Sequence, residues 1–212
     1  LKPHGSKVKY YNGDEKDGEG VYDAVIDMEI GNKNLQQCAD AVMRLRGEYL
    51  FVQKAYDKLH FNFTNGFNCT YKKWKEGYRV KVEGNKTTWV KTAGPSNTYA
   101  DFRKYMDMVF NYAGTLSLSK ELKSKPLSDM QIGDVFIQGG SPGHAVIVVD
   151  MMKNKKSGQK YFMLAQSYMP AQETQVLINP DDEATVWYKL DVSKEVIQTP
   201  EWRFTKNDLK SF

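Results

Sequence analysis

Three side chains able to support nucleophilic chemistry stand far apart in this sequence, at Cys38, His144 and Gln166. Cys38 lies in the first turn of a predicted helix, where the helix dipole and unpaired backbone N–H groups lower the pKa of a thiol. His144 opens an apolar run, Ala145–Met151, which predicts a buried strand. An imidazole at the start of that strand could take the cysteine proton and later deliver it to a leaving group.

Polar residues near these two could complete such a site. Gln166 ends the next predicted strand, where its amide could fix the tautomer of the imidazole. Gln36 or Gln37, just before the cysteine, could donate a hydrogen bond to an oxyanion alongside the backbone N–H of Cys38. Tyr168 follows Gln166 and could form a wall of the cleft.

Each of these residues also has a purely structural interpretation. A lone cysteine on a helix is more often a small buried hydrophobe than a nucleophile. A histidine after the turn Gly-Ser-Pro-Gly can be an ordinary surface residue, and a glutamine at a strand end often caps the next loop. The order along the chain favours the catalytic interpretation: cysteine at a helix start, histidine at one strand start, amide at the end of the next strand.

The elements that must position these residues begin with a long helix. Apolar residues at helical spacing predict this helix over roughly Asn34 to Asp57, with Asn34 as its N-cap. A second helix is predicted through Thr98–Tyr112, capped by Ser96 or Asn97. A short polar helix is predicted near Ser119–Lys123.

Strands dominate the second half of the chain. A lysine-rich turn at Asn154–Gly158 makes antiparallel pairing the simplest topology. Helices followed by an antiparallel sheet predict an α+β fold. Besides Val21–Met28 and a hairpin of Arg79–Glu83 with Thr87–Lys91, the predicted strands are Val135–Gln138, Ala145–Met151, Lys160–Gln166, Thr174–Ile178 and Trp187–Leu190.

We expect a single domain over residues 1–212, with residues 1–20 as a polar N-terminal arm and residues 56–125 as a helical and hairpin insertion. The composition is 41% hydrophobic, 13% aromatic and 26% charged, which is typical of a folded globular chain.

Composition also bears on partners and location. The net charge is only +4 and the lysines are scattered, so no nucleic-acid partner is predicted. No apolar run reaches bilayer length, so no membrane span is predicted. The sequence begins Leu1-Lys2-Pro3 without methionine, which suggests a trimmed N-terminus from which any export signal is missing.

Two cysteines, Cys38 and Cys69, could form one disulfide or remain two free thiols. Neither belongs to a Cys-x-x-Cys pair, and three histidines show no zinc-ligand spacing. We therefore predict neither a metal site nor a cofactor. Cys69 lies in an aromatic loop and is interpreted as structural.

Gly133–Ile137, Gly143–Val149 and Ala165–Tyr168 resemble segments of the papain-like cell-wall amidases and endopeptidases of the NlpC and CHAP families. In those families a Gly-Asp pair introduces one strand, a Gly-His begins the next, and a polar residue on the strand after it completes a triad. The three segments of this chain correspond to these features in the same order.

This resemblance implies a papain-like fold, with an N-terminal helix packed on an antiparallel sheet, and a triad of Cys38, His144 and Gln166 as nucleophile, base and orienting residue. The chain departs from the pattern in two ways. Its cysteine stands in Gln-Gln-Cys-Ala-Asp rather than Asp-Cys-Ser-Gly, and glutamine is a less usual third residue. Tyr56 to Lys125 has no counterpart.

A second resemblance spans nearly the whole chain. Gln36–Leu50, Gly133–Asp150, Leu164–Gln172 and Thr199–Phe204 resemble a bacterial family known as domain of unknown function 4846. That resemblance implies a periplasmic or envelope-associated protein.

Two hypotheses of different classes follow. The first is a cysteine hydrolase that cleaves an amide bond, with a peptidoglycan-type peptide as its expected substrate. The second is a non-catalytic envelope binding module that keeps the fold without the activity. An acyltransferase on the same fold is a third hypothesis, which would require an apolar groove.

Overall fold

The computed structural model describes residues 1–212 and confirms an α+β fold, with four helices and a mostly antiparallel set of strands. The helices are α1 (Cys38–Val52), α2 (Tyr71–Lys75), α3 (Tyr99–Tyr112) and α4 (Thr115–Glu121). The strands are β1 (Tyr22–Val25), β2 (His60–Asn62), β3 (Asn68–Thr70), β4 (Tyr78–Glu83), β5 (Lys86–Lys91), β6 (Lys123–Ser124), β7 (Val135–Gln138), β8 (His144–Lys153), β9 (Lys160–Gln166), β10 (Gln175–Leu177), β11 (Tyr188–Lys189), β12 (Val196–Gln198), β13 (Arg203–Thr205) and β14 (Leu209–Ser211). None of the helices is both long and apolar enough to span a membrane.

One eight-stranded sheet organises the chain, in the order β1-β10-β9-β8-β7-β14-β6, with β11 paired to the far end of β9. Its centre is the succession β7, β8 and β9, paired antiparallel as the short turns between them predict. Three smaller hairpins, β2-β3, β4-β5 and β12-β13, lie outside it.

Both faces of the central strands are buried, by different parts of the chain. Alternate side chains of a strand point to opposite faces. Ala145 and Ile147 of β8 therefore face a core shared with α1 and α3, whereas Val146 and Val148 face a second core shared with the C-terminal segment. His144 has the same parity as Val146, and its ring lies 6.0 Å from that of Phe204 in the second core.

Helix α1 is the long helix that the sequence predicts, but its predicted boundaries were too wide. It begins at Cys38 rather than near Asn34, and it ends at Val52. Asn34 does not cap the helix, because its Oδ1 accepts hydrogen bonds from the Ala171 backbone N–H at 2.8 Å and from Gln37 Nε2 at 3.2 Å. Cys38 is consequently the first residue of the helix.

No strand was predicted beyond Leu190, yet the C-terminal segment contains three. β12 and β13 form a hairpin whose connecting turn is held by Thr199, which donates to the Trp202 carbonyl at 2.8 Å and accepts from its N–H at 3.1 Å. β14 then enters the large sheet beside β7. Three-residue strands are too short to show a period-2 pattern.

The N-terminal arm packs against the body of the protein. Val8 is fully buried, and Tyr10 pairs with Gln172 in an isolated bridge. The Lys2 ammonium and the Lys9 backbone N–H both contact the Glu173 carboxylate. These contacts bring Lys16 next to the C-terminal hairpin.

Candidate functional site

A cleft of about 430 Å³ opens where the N-terminus of α1 meets the start of β8. Cys38, Gln37 and Asp40 line it from α1 and its N-cap, and His144 lines it from β8. Tyr168 and Trp202 form an aromatic wall. The cleft therefore joins residues from opposite ends of the sequence.

His144 is held firmly on the sheet side of the cleft. It is 2% exposed, and its Nε2 lies 2.8 Å from Gln166 Oε1. The Tyr168 and Trp202 rings pack against the imidazole, with centroids 4.7 and 5.2 Å away. The other ring nitrogen, Nδ1, makes no hydrogen bond within the protein and is not sealed from the cleft.

Burial controls the charge state of the imidazole. Desolvation lowers the pKa of His144 to about 4, although the Gln166 hydrogen bond and the charge of Glu201 act in the opposite direction. His144 is therefore neutral at physiological pH. A neutral imidazole with one unpaired nitrogen can accept a proton.

The Cys38 thiol faces the cleft from the helix side. Backbone N–H groups of Ala39, Ala145 and Cys38 surround its sulfur and favour a thiolate, as expected at a helix N-terminus. Burial nonetheless raises the pKa of Cys38 to about 11. The predicted lowering of this pKa was wrong, because the cost of desolvation exceeds the stabilisation by the helix end.

No hydrogen bond joins the Cys38 thiol to the His144 ring. The parity of β8 explains this. Helix α1 packs on the face of Ala145, whereas the imidazole lies on the opposite face with Trp202 and Phe204. The two side chains share the cleft at the end of the sheet without touching through a hydrogen bond.

The two glutamines before Cys38 lie in different environments. Gln37 lines the cleft. Gln36 does not, and the expectation that it stands ready to bind an oxyanion is wrong: its side chain is 1% exposed and its Oε1 accepts from Arg44 at 2.9 Å. The side chain turns inward because fully buried Arg44 requires acceptors.

Both cysteines are free and buried, so the disulfide considered for Cys38 and Cys69 does not form. Cys69 belongs to the apolar core around Tyr105. No group of three or more histidine, cysteine, aspartate or glutamate side chains is arranged to hold a metal ion.

A model of a known protein family matches almost the entire sequence. The model of domain of unknown function 4846 matches residues 1–211. The chain belongs to this family. The resemblance read from Gln36–Leu50, Gly133–Asp150, Leu164–Gln172 and Thr199–Phe204 is thereby confirmed over nearly the full length. No curated protein and no solved structure matches the chain.

Two residues that contact His144 or Gln166 in this 4846-family domain were missed in the sequence. Trp202 was not predicted as a site residue, yet its ring lies against His144 and its Nε1 donates to Gln138 Oε1 at 3.0 Å. Glu201 accepts a 2.6 Å hydrogen bond from Gln166 Nε2. Both lie in the turn of the unpredicted β12-β13 hairpin, so no signal local to the three predicted residues could have found them.

Proposed function

We propose that this 4846-family domain is a cysteine hydrolase of papain-like type that cleaves an amide bond. The observation that carries the proposal is the 2.8 Å contact between His144 Nε2 and Gln166 Oε1, which leaves Nδ1 as the free ring nitrogen of a histidine that lines the same cleft as Cys38. Such a pair orients an imidazole for general-base catalysis. By this proposal Cys38 is the nucleophile, His144 the base and Gln166 the orienting residue.

The reaction starts from a neutral Cys38 thiol and a neutral His144 imidazole. The Cys38 sulfur attacks the carbonyl carbon while its proton passes to His144 Nδ1, and the C–N bond then breaks as the imidazolium gives that proton to the departing amine. Water next adds to the thioester, losing a proton to Nδ1, and the C–S bond breaks to return the thiol. In unliganded enzymes the hydrogen bond between nucleophile and base is often long and shortens with substrate bound.

The oxyanion in both steps requires donors near the Cys38 sulfur. The first backbone N–H groups of a helix lack partners within the helix, so those of Cys38 and Ala39 are available at the start of α1. Gln37 lines the same cleft and supplies a side-chain amide. We assign these groups to oxyanion stabilisation and Tyr168 to the substrate-facing wall.

The proposed substrate is a peptide of the peptidoglycan type, and the proposed location is the periplasm or cell envelope. The substrate is supported by the resemblance of Gly133–Ile137, Gly143–Val149 and Ala165–Tyr168 to the NlpC and CHAP enzymes. The location is supported by the resemblance to the 4846 family. The cleft is lined by backbone and small polar groups around Gly140–Gly143 as well as by aromatic rings, which suits an extended peptide better than an acyl chain.

The decisive experiment combines peptidoglycan stem peptides with mass spectrometry. We expect new amine and carboxyl ends with the parent protein, and a loss of at least about 100-fold in rate in Cys38→Ser and His144→Ala. His4→Ala, which changes an exposed histidine that does not line the cleft, is the matched control and should retain full activity.

Two results would decide against the hydrolase. Cleavage that survives Cys38→Ser would exclude the assigned nucleophile. Saturable binding of stem peptides without cleavage, unchanged by Cys38→Ser, would establish the binding module instead.

A further inference from the structure

Gln166 connects His144 to a charged pair that lies outside the proposed triad. Its Oε1 lies 2.8 Å from His144 Nε2, and its Nε2 donates to Glu201 Oε2 at 2.6 Å. The Gln166 side chain is 1% exposed, so water does not compete for either contact. A buried amide with two committed contacts has its orientation set by its neighbours.

Glu201 forms an ion pair with Lys16 of the N-terminal arm. The Lys16 ammonium lies 2.8 and 2.9 Å from the two carboxylate oxygens of Glu201. Lys16 is 6% exposed and its Nζ also stands over the Tyr168 ring, 5.9 Å from the centroid. A buried ammonium has to be paired, and the Glu201 carboxylate is the partner of Lys16.

The hydrogen bonds that join His144, Gln166 and Glu201 permit one arrangement of protons. A carboxylate only accepts hydrogen bonds, so the NH₂ group of Gln166 has to face Glu201 and its carbonyl oxygen has to face His144. That oxygen in turn only accepts, so His144 Nε2 has to carry the proton. In a neutral imidazole the unprotonated nitrogen is then Nδ1, the one that has no partner in the protein.

We propose that Glu201, held in an ion pair with Lys16, is a positioning residue that fixes the Nε2–H tautomer of His144 by fixing the orientation of the Gln166 amide. The significance of this tautomer for catalysis rests on the proposed function, because it leaves Nδ1 as the base. The tautomer itself is a property of the folded protein and is measured without any substrate.

The test is ¹⁵N NMR of histidine-labelled protein near neutral pH, in which protonated and unprotonated ring nitrogens differ widely in chemical shift. Only His4, His60 and His144 contribute, and His144→Ala assigns the third. We expect His144 in the parent protein to be wholly the Nε2–H tautomer. In Glu201→Gln the neighbouring amide can face either way, and we expect about half of the Nε2–H population to be lost.

Glu195→Gln is the matched control. It removes a carboxylate from the start of the same hairpin, where Glu195 pairs with Lys206 and is 71% exposed. This variant should leave the tautomer unchanged. An Nδ1–H tautomer in the parent protein would overturn the proposal without recourse to any variant, and so would an unchanged Nε2–H tautomer in correctly folded Glu201→Gln.

A kinetic measurement separates failure of this proposal from failure of the proposed function. With stem peptide as substrate, Glu201→Gln should lower kcat about 10-fold with little change in KM, because the base is misoriented in part of the population. Unaltered kcat in Glu201→Gln, in an enzyme that His144→Ala inactivates, would overturn the positioning role. If His144→Ala has no kinetic effect, the hydrolase fails, whereas the tautomer measurement still decides the role of Glu201.

Discussion

At the residue scale, burial raises the pKa of the Cys38 thiol by more than the N-terminus of helix α1 lowers it. Cys38 is 8% exposed, and desolvation outweighs the three backbone N–H groups around its sulfur. A mechanism built on this chain therefore starts from a neutral thiol and a neutral imidazole. An ion pair already present before substrate arrives would contradict both the direction of the Cys38 shift and that of His144.

The pH dependence of Cys38 alkylation tests this directly. Because the pKa of Cys38 is raised to about 11, the thiolate fraction at neutral pH is small and grows about tenfold per pH unit below that value. We expect the rate of reaction with iodoacetamide to rise continuously from neutral pH to about pH 10. The Cys38→Ser variant shows how much of the reaction comes from Cys69. A plateau of the Cys38 alkylation rate near neutral pH would contradict the raised pKa of this thiol.

The His144 imidazole links stability to acid pH. Its pKa is about 4 in the folded protein and ordinarily 6.5, so the unfolded chain binds the extra proton between these values. Stability contributed by the neutral ring is complete above pH 6.5 and is lost as pH falls towards 4.

We expect acidification from pH about 7 to about 4.5 to lower the free energy of unfolding by about 2.5 kcal/mol through His144 alone. Urea unfolding at the two pH values, compared between the parent and His144→Gln, isolates this contribution from that of other groups. Equal pH dependence in both proteins would show that the imidazole is not buried as described.

At the scale of elements, the sequence located the main strands and the long helices because their periodicity is strong. β7 and β9 have the predicted limits, and α3 begins one residue later than predicted, at Tyr99. Their apolar faces pack directly on the two cores, so pattern and environment agree. The predicted grouping of Cys38, His144 and Gln166 near one end of the sheet depended on these elements.

Contacts that depend on tertiary structure could not be predicted from the sequence. The inward turn of Gln36 depends on the buried Arg44, and the loss of the Asn34 cap depends on Ala171, far along the chain. Trp202 reaches the cleft, and Glu201 reaches Gln166, from a hairpin with no periodic pattern. The raised pKa of Cys38 likewise follows from how deeply the helix start is covered, which no spacing of residues reveals.

The Ser167 hydroxyl connects the end of strand β9, which carries Gln166, to the residues just before helix α1, which carries Cys38. Ser167 is fully buried, and its Oγ lies 3.0 Å from the Gln36 carbonyl and 2.7 Å from the Gln172 carbonyl. Since a hydroxyl has a single proton, it can donate to one of these carbonyls at a time.

We expect Ser167→Ala to lower the free energy of unfolding by about 1–3 kcal/mol, because it leaves buried carbonyls without a donor. Urea unfolding measures this. Ser157→Ala, in the exposed turn between β8 and β9, is the control and should change stability by less than about 0.5 kcal/mol. An equal effect of the two substitutions would mean that the hydroxyl does not link the strand to the helix.

At the scale of the whole molecule, the N-terminal arm and the C-terminal hairpin meet behind the cleft through Lys16 and Glu201. Their side chains are 5% and 23% exposed, whereas those of the Lys206–Glu195 pair are 38% and 71% exposed. Removing one partner of a poorly hydrated pair leaves the other charge without compensation, whereas exposed pairs contribute little. A double-mutant cycle measures the coupling in each case.

We expect Lys16→Met and Glu201→Gln each to destabilise the protein by about 1–3 kcal/mol and the double variant by much less than their sum, because the second substitution removes the charge that the first left unpaired. The resulting coupling should be at least about 1 kcal/mol, against about 0.5 kcal/mol or less for Lys206→Met with Glu195→Gln. Urea unfolding of the six variants and the parent gives both values. Equal couplings would mean that water screens Glu201 as well as it screens Glu195, and the arm would then have no electrostatic part in ordering the site.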